Sequence, residues 1–483
     1  MSASPENCIP RQDHPIGRLR SFSFVRISDA FFTSPAYFLL IGVLAVISNV
    51  FSAELPVYTC FVLIGIYISL FGRDYLPIIP LVTLCYIAPS DINNPGSSSG
   101  SIFYPENGGI LILILAAAFV VSIIFRLAVD PELGQKAFFR AKRALLPGIL
   151  LLGAAYLLAG AGSGHYFDHG YSNLLFATLQ FFAIFLTYYF FTGAVKWSEV
   201  PEDYLAKSGL CIGFVLLAEI GNIYLTQPII IDGEIQRSAI FTGWGNYNNI
   251  GSMLAMMIPF AFHLVCIKKR SWVYNLCGAA FLSGVILSCS RGSILFAVVI
   301  YLVSCLVVMF KSRNRRASLI TNLITLFIAL LVLALFRERL SQLFNDMLAR
   351  GLYSSQRIEG YLAGIQQFQN YPLFGGSFYP VDADLYEWSS VEAFTTFFPP
   401  RWHNTMIQLA ASCGIFGLAA YVLHRLQTIG MIIKKPTAAN LYTAISLAAL
   451  LGTSLIDCHF FNIGPTLFYA VALAFAEKNS PQS

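Results

Sequence analysis

The run R-W-H-N-T-M-I-Q, Arg401 to Gln408, sets a titratable ring and two amides directly before a long apolar stretch. Pro399 and Pro400 stop any helix that precedes it, so the spacing predicts His403 in the first turn of a helix entering a membrane. The partial positive charge of such a helix end disfavours an imidazolium and leaves the ring able to take up a proton. Asn404 and Gln408 lie four apart and share a helix face, where they can support that ring. A histidine that only ends a helix would have the same local sequence.

Three further stretches could meet an anion. S-C-S-R-G-S, Ser288 to Ser293, is a tight polar turn between apolar runs, with Arg291 at its tip and Gly292 leaving backbone amides open. An arginine reaching for lipid headgroups would read the same way. Arg357 stands one turn before Tyr361 in a segment of helical spacing, where a solvated helix face is the plain alternative. Arg237 precedes G-W-G-N-Y-N-N, whose Asn246, Asn248 and Asn249 could bind a ligand or simply cap the next helix.

A rival constellation, H-Y-F-D-H from His165 to His169, has two histidines four apart with an aspartate between them. Its glycine-bounded segment is too short for a stable helix and has no evident third ligand, so no metal is assigned. No G-x-x-x-x-G-K-[ST] stretch occurs, which sets aside an ATP-driven pump.

The elements that must position these residues are membrane helices. With 57% hydrophobic and 11% charged residues, the chain has too little polar surface for a soluble globule of 483 residues. Fourteen apolar runs approach the length of about 20 residues that a helix needs to cross a bilayer. They lie near 36–50, 56–70, 76–88, 109–127, 145–161, 173–192, 209–225, 250–267, 274–289, 293–310, 319–336, 405–424, 441–456 and 464–475. The third, the thirteenth and the last are short or polar, so about 12–14 crossings are expected. Ten cysteines without regular spacing are read as apolar filler.

The basic residues orient the bundle. Alternating crossings from an inside N-terminus put 23 of the 30 Lys and Arg on the cytoplasmic side, including Arg140, Lys142, Arg143, Lys268, Lys269, Arg270, Lys434 and Lys435. The seven left outside are all arginine: Arg237, Arg291, Arg337, Arg339, Arg350, Arg357 and Arg401. A guanidinium is a planar fork suited to two-point contact with phosphate oxygens, so this bias fits a phosphate ligand. The long segment from Arg337 to Trp402 is expected to hold a helix over the membrane, with Ile358, Leu362, Ile365 and Phe368 at helical spacing and Ser354 or Ser355 as its cap.

Taken together, S-R-G at Ser290 to Gly292, R-I-E-G-Y-L-A-G-I-Q-Q-F-Q-N-Y-P-L-F-G at Arg357 to Gly375, and H-N-T-M-I-Q-L-A-A-S-C-G-I-F-G at His403 to Gly417 resemble the O-antigen ligase and polymerase superfamily of membrane glycosyltransferases. The resemblance runs from about Arg237 to Phe475, roughly half the chain. It implies a glycan carried on a polyprenyl diphosphate and transferred to an acceptor hydroxyl outside the cytoplasmic membrane. On that pattern Arg291 and Arg357 would hold the diphosphate, with Arg237 a looser fit, and His403 would be the general base. Asn404, Gln408, Tyr361 and Asn246 would support them. The family often has an acidic or polar helper two residues after the histidine, where this chain has Thr405. Aromatic side chains of the long loop, such as Tyr361, Tyr386 and Trp388, would offer faces to sugars. No metal, cofactor or nucleic acid is implied.

The expectation is therefore an all-α polytopic membrane protein. A cytoplasmic tail (1–35) precedes N-terminal crossings (36–225), a ligase/polymerase-like region (226–475, with the outer loop at 337–403) and a short cytoplasmic tail (476–483). Its partners would be a polyprenyl-diphosphate-linked glycan, a glycan, lipid or protein acceptor, and membrane lipids, in cell-surface polysaccharide synthesis at the inner membrane. A protein O-oligosaccharyltransferase differs only in its acceptor. A flippase or exporter of lipid-linked glycans would need polar groups through the membrane centre, whereas the charges here gather in loops and at span ends.

Overall fold

The computed structural model describes residues 22–51, 53–84, 108–130, 133–161, 170–231, 234–242, 245–312, 315–335, 355–378 and 402–478. Without water to satisfy a backbone, apolar runs close their own hydrogen bonds as helices. The N-terminal half forms α1 (Ser23–Phe32), α2 (Pro35–Val50), α3 (Glu54–Phe71), α4 (Ile78–Leu84), α5 (Gly109–Val129), α6 (Gln135–Arg140), α7 (Leu146–Ala161), α8 (Gly170–Ala194) and α9 (Tyr204–Thr226). The C-terminal half adds α10 (Tyr247–Ile267), α11 (Ser271–Leu287), α12 (Arg291–Lys311), α13 (Arg315–Leu335), α14 (Ser355–Asn370), α15 (Thr405–Lys434), α16 (Ala438–Thr453) and α17 (Ile463–Lys478). Among the described residues the only strands are two short ribbons, β1 (Ile230–Ile231) with β2 (Glu234–Ile235) and β3 (Phe241–Thr242) with β4 (Gly245–Asn246).

Seven described helices are long and apolar enough to cross a membrane, or eight if the bent pair α1 and α2 counts as one span, and α7, α11 and α16 are shorter apolar helices. The chain is an all-α polytopic membrane protein. Each of the fourteen apolar runs carries a helix, and within the described residues the third carries the seven of α4. Nearly all of α4 is buried among its neighbours, with Pro80 in its middle. The described part of the N-terminal segment is helical. Residues Ser23–Phe32 are helical and meet α2 at 69°, the break falling before Pro35, which starts α2.

The axis of the C-terminal half is α10, apolar all round and almost wholly buried against α9, α11, α12 and α16. Its two ends, like those of the bundle, differ in charge. At one end Asp203 takes Lys207 at 3.0 Å and also Lys268, tying the start of α9 to the end of α10. At the same end buried Arg126 pairs with Asp130 at 2.7 Å and donates to the carbonyls of Ser69 and Gly72, closing the C-terminus of α3. Lys142, Lys434, Lys435 and Lys478 gather there as well. The opposite end holds the N-termini of α10, α12 and α15 together with Arg237, Arg291 and Arg357, and no lysine among the described residues.

Helix α15 is broken at Gly414, whose φ of 65° and ψ of −161° are open to glycine. The freed backbone groups are met by the segment that follows α14. Ile415 N donates to Pro372 O at 2.8 Å and Phe416 N to Leu373 O at 3.1 Å, while Gly376 N donates to Ala411 O at 2.7 Å. A break in a membrane helix requires such partners. The helix in the long loop is thereby tied to the helix that follows His403.

The packing face of α14 is made of Ala363, Gly364 and Gln367 against Trp402, Ile407 and Ala411 of the α15 start. Its apolar stripe of Ile358, Leu362 and Ile365 is exposed on the other side. Small residues let the two helices approach, which leaves the larger ones on the exposed side.

Candidate active site

His403 stands just outside α15, not in its first turn as the sequence suggests. The reason is Asn404, the better cap: its Oδ1 accepts from Met406 N at 2.8 Å and Ile407 N at 3.2 Å, and its Nδ2 donates to Leu455 O at 2.8 Å. His403 takes a left-handed φ of 52°, an uncommon conformation for a residue with a Cβ. Its flanks hold it there. Tyr361 Oη donates to His403 O at 3.2 Å, and Trp402 N donates to Gln408 Oε1 at 3.1 Å. Gln408 Nε2 in turn donates to Ser412 Oγ at 3.0 Å. Asn404, Gln408 and Tyr361 thus fix the peptide around the ring.

The ring itself meets a residue absent from the sequence reading. His403 Nδ1 lies 3.3 Å from Oδ1 of Asp457, in the loop between α16 and α17. Asp457 Oδ1 also accepts from Cys458 N at 2.7 Å, and its Oδ2 from Asn248 Nδ2 at 2.9 Å. Asn248 Oδ1 accepts from Ser290 Oγ at 2.9 Å, in the turn that carries Arg291. One hydrogen-bonded chain therefore joins the starts of α15, α10 and α12. Arg425 of α15 braces the loop, its guanidinium 4.6 Å from the centroid of Phe460 and 4.8 Å from that of Tyr469.

Burial is the largest influence on the Asp457 carboxyl and pushes its pKa up, but it is outweighed. The hydrogen bond and charge of His403, the charge of His459 and the Cys458 N–H leave the group well below the usual carboxylate range. It is a carboxylate at neutral pH. A carboxylate on Nδ1 fixes the proton there and turns the Nε2 lone pair outward, the arrangement of a general base with its orienting partner.

Arg291 is the first residue of α12 and is half-buried. Gly292 is what lets the Asp457 loop close on this turn, because a Cβ there would sit 2.9 Å from Ile456 Cγ2. Arg237 stacks over the Tyr247 ring at 5.4 Å, at the start of α10. It also reaches the same turn: burial raises the Cys289 thiol, and the Arg237 charge opposes that rise. Arg357 begins the turn before Tyr361 and is partly exposed. Asn246 is the cap of α10, accepting from Asn248 N at 3.1 Å and Asn249 N at 3.3 Å, so it supports the network without joining it. The helix starts of α10, α12 and α15 direct their partial positive charges to this one end, a setting that favours an anion.

Thr405, in the place of the family's usual helper, has a buried Oγ1 with no hydrogen-bond partner among the described residues. The carboxylate that meets the ring is Asp457, from a distant part of the chain. Its signal in the sequence was its isolation, as the only acidic residue between Ala438 and Ala476. His165 to His169, Arg337, Arg339, Arg350, Tyr386, Trp388 and Arg401 lie outside the described residues. Among the described residues no cluster of three or more His, Cys, Asp or Glu is poised for a metal.

Fold and site together define a polytopic α-helical membrane protein with a histidine–carboxylate pair at the end of the bundle that also carries Arg237, Arg291 and Arg357. Residues 276–422, a little under a third of the chain, match the O-antigen ligase family model, which supports a likeness to the O-antigen ligase and polymerase superfamily. The match supports a ligase- or polymerase-type membrane enzyme. It includes Arg291, Arg357, Tyr361, His403, Asn404 and Gln408, whereas Arg237, Asn246, Asn248 and Asp457 fall outside it. No curated protein matches the chain.

Proposed function

We propose that the protein transfers or polymerises an oligosaccharide from a polyprenyl diphosphate to an acceptor hydroxyl at the arginine-bearing face of the membrane. By the distribution of lysine this face is the exofacial one, with both termini cytoplasmic. The acceptor oxygen attacks the anomeric carbon while the bond from that carbon to the diphosphate oxygen breaks. His403 Nε2 takes the hydroxyl proton and the polyprenyl diphosphate departs. Asp457 keeps the imidazole oriented and stabilises the imidazolium as it forms. Arg291, Arg357 and Arg237, aided by the start of α12, stabilise the charge that develops on the leaving diphosphate.

The observation that carries this reading is the 3.3 Å contact between His403 and Asp457, linked through Asn248 and Ser290 to the turn of Arg291. The test is a reconstituted transfer assay with a lipid-diphosphate-linked glycan donor. His403→Ala, purified folded, should lose nearly all turnover; near wild-type turnover would remove the base from the mechanism. Replacing the acceptor in the same assay, core lipid against growing glycan against protein, separates ligase, polymerase and protein transferase.

A further inference from the structure

A cavity lies at the lysine-rich end, far along the bundle from His403, between the ends of α7, α15 and α17. It encloses about 750 Å³. Four lysines, Lys142, Lys434, Lys435 and Lys478, line it with a single acid, Glu477. That acid is turned inward: its carboxylate accepts from Ala144 N at 2.9 Å, Leu145 N at 3.4 Å and the Tyr188 hydroxyl. Lys478 Nζ lies 3.9 Å from Glu477 Oε1 and also donates to Lys142 O, and Lys435 Nζ donates to Glu477 O, so one carboxylate stands against four lysines and the cavity keeps a net positive charge. Deeper in, the wall becomes apolar, with Leu426 and Met431. Leu426 is 60% exposed, as are its lipid-facing neighbours Ile429 and Ile433 in large part, so the cavity opens sideways toward the bilayer.

We propose that this cavity is a binding site for an anionic phospholipid of the adjoining leaflet, the phosphate held by the lysines and an acyl chain laid along Leu426 and Met431. A cationic rim above an apolar wall at a helix end matches a phospholipid in both charge and polarity, and neither half suits a soluble anion or a neutral lipid as well. Occupancy would fasten α7, α15 and α17 to one another at the end opposite the reaction site. The proposal is independent of the transfer chemistry.

The full chain, purified and stripped of lipid in detergent, is titrated with phosphatidylglycerol, with phosphatidylcholine of the same acyl chains and with inorganic phosphate. Binding is read by native mass spectrometry and by the thermal unfolding midpoint. Phosphatidylglycerol is expected to bind and raise the midpoint, the other two to do neither. Lys142 and Lys434 are both exposed, so the double variant Lys142→Gln, Lys434→Gln should fold and bind phosphatidylglycerol about 30-fold more weakly. Lys269→Gln, at an exposed lysine outside the cavity, serves as the control. Gly430→Trp keeps every charge but fills the cavity, since a Cβ at Gly430 meets nothing within 4 Å; it too should lose the lipid. Equal binding of phosphatidylcholine, an equal midpoint shift with phosphate alone, or undiminished phosphatidylglycerol binding by both variants would each overturn the proposal.

Discussion

His403 and Asp457 are 54 positions apart in the chain, yet Nδ1 of one stands 3.3 Å from Oδ1 of the other. The contact depends on two backbone arrangements. Asn404 caps α15 so that His403 is released from the helix, and Gly292 lets the α16–α17 loop settle against the start of α12. The ring and the arginine turn are thereby set by the same loop. A shift of that loop would disturb base and anion site together.

The pair predicts how turnover responds to loss of the carboxylate. Asp457→Asn keeps the shape of the side chain but removes the charge that orients the ring and stabilises it once it has taken the proton. The maximal rate should drop by about 10²-fold or more, because orientation and charge stabilisation are both lost. An unchanged maximal rate in folded Asp457→Asn would mean that Asp457 does not act on His403.

The same carboxylate should be visible in stability. Its folded pKa lies below that of an unfolded aspartate, near 3.9, so its contribution is fully present above that pH and is lost as pH falls through the folded value. Thermal midpoints of wild type and Asp457→Asn, followed from pH 7 down to about pH 3, should therefore converge toward the acid end. A gap of constant size would show that the carboxylate is worth no more ionised than protonated.

The arginines make a separate prediction about shape. If a guanidinium holds two phosphate oxygens at once, Arg291→Lys and Arg357→Lys keep the charge but lose the fork. Each should weaken use of the lipid-diphosphate donor by about 10-fold or more, as the loss of one charge-assisted hydrogen bond of about 1.5–3 kcal/mol implies. The measurement is kcat/KM for the donor at fixed acceptor. Full rescue by lysine at both positions would argue for a plain field of positive charge.

Much of this arrangement was legible in the sequence because hydropathy and charge act locally. Each apolar run became a helix, Ser355–Asn370 formed where the spacing of Ile358, Leu362 and Ile365 required it, and His403 and Arg291 arrived at one end. Other features depend on packing between distant segments. Nothing near Asp457 in the chain announces His403 as its partner, and nothing in the apolar run of α4 announces that its neighbours bury nearly all of it. The face by which α14 packs is set by its small residues Ala363 and Gly364 rather than its apolar stripe. Asn404, in turn, outcompeted the expected helical place of His403 because a short amide side chain caps a helix and an imidazole does not.

The break in α15 offers the last prediction. Gly414 sits at φ 65°, and a Cβ there would lie 2.5 Å from the carbonyl carbon of Leu373. Gly414→Ala must therefore either strain the backbone or push away the segment after α14, whose carbonyls receive Ile415 N and Phe416 N. The first outcome costs about 1–3 kcal/mol of stability. The second loosens α14, and with it the Tyr361 hydroxyl that holds the His403 carbonyl at 3.2 Å. The expected result is a lowered unfolding midpoint together with reduced turnover. Tyr361→Phe distinguishes the routes, since it removes only the hydroxyl: if turnover falls in Gly414→Ala but not in Tyr361→Phe, the break acts on the site by some path other than this contact. Unchanged stability and turnover in Gly414→Ala would mean that the helix can close without the break, and that the tie to α14 does not position His403.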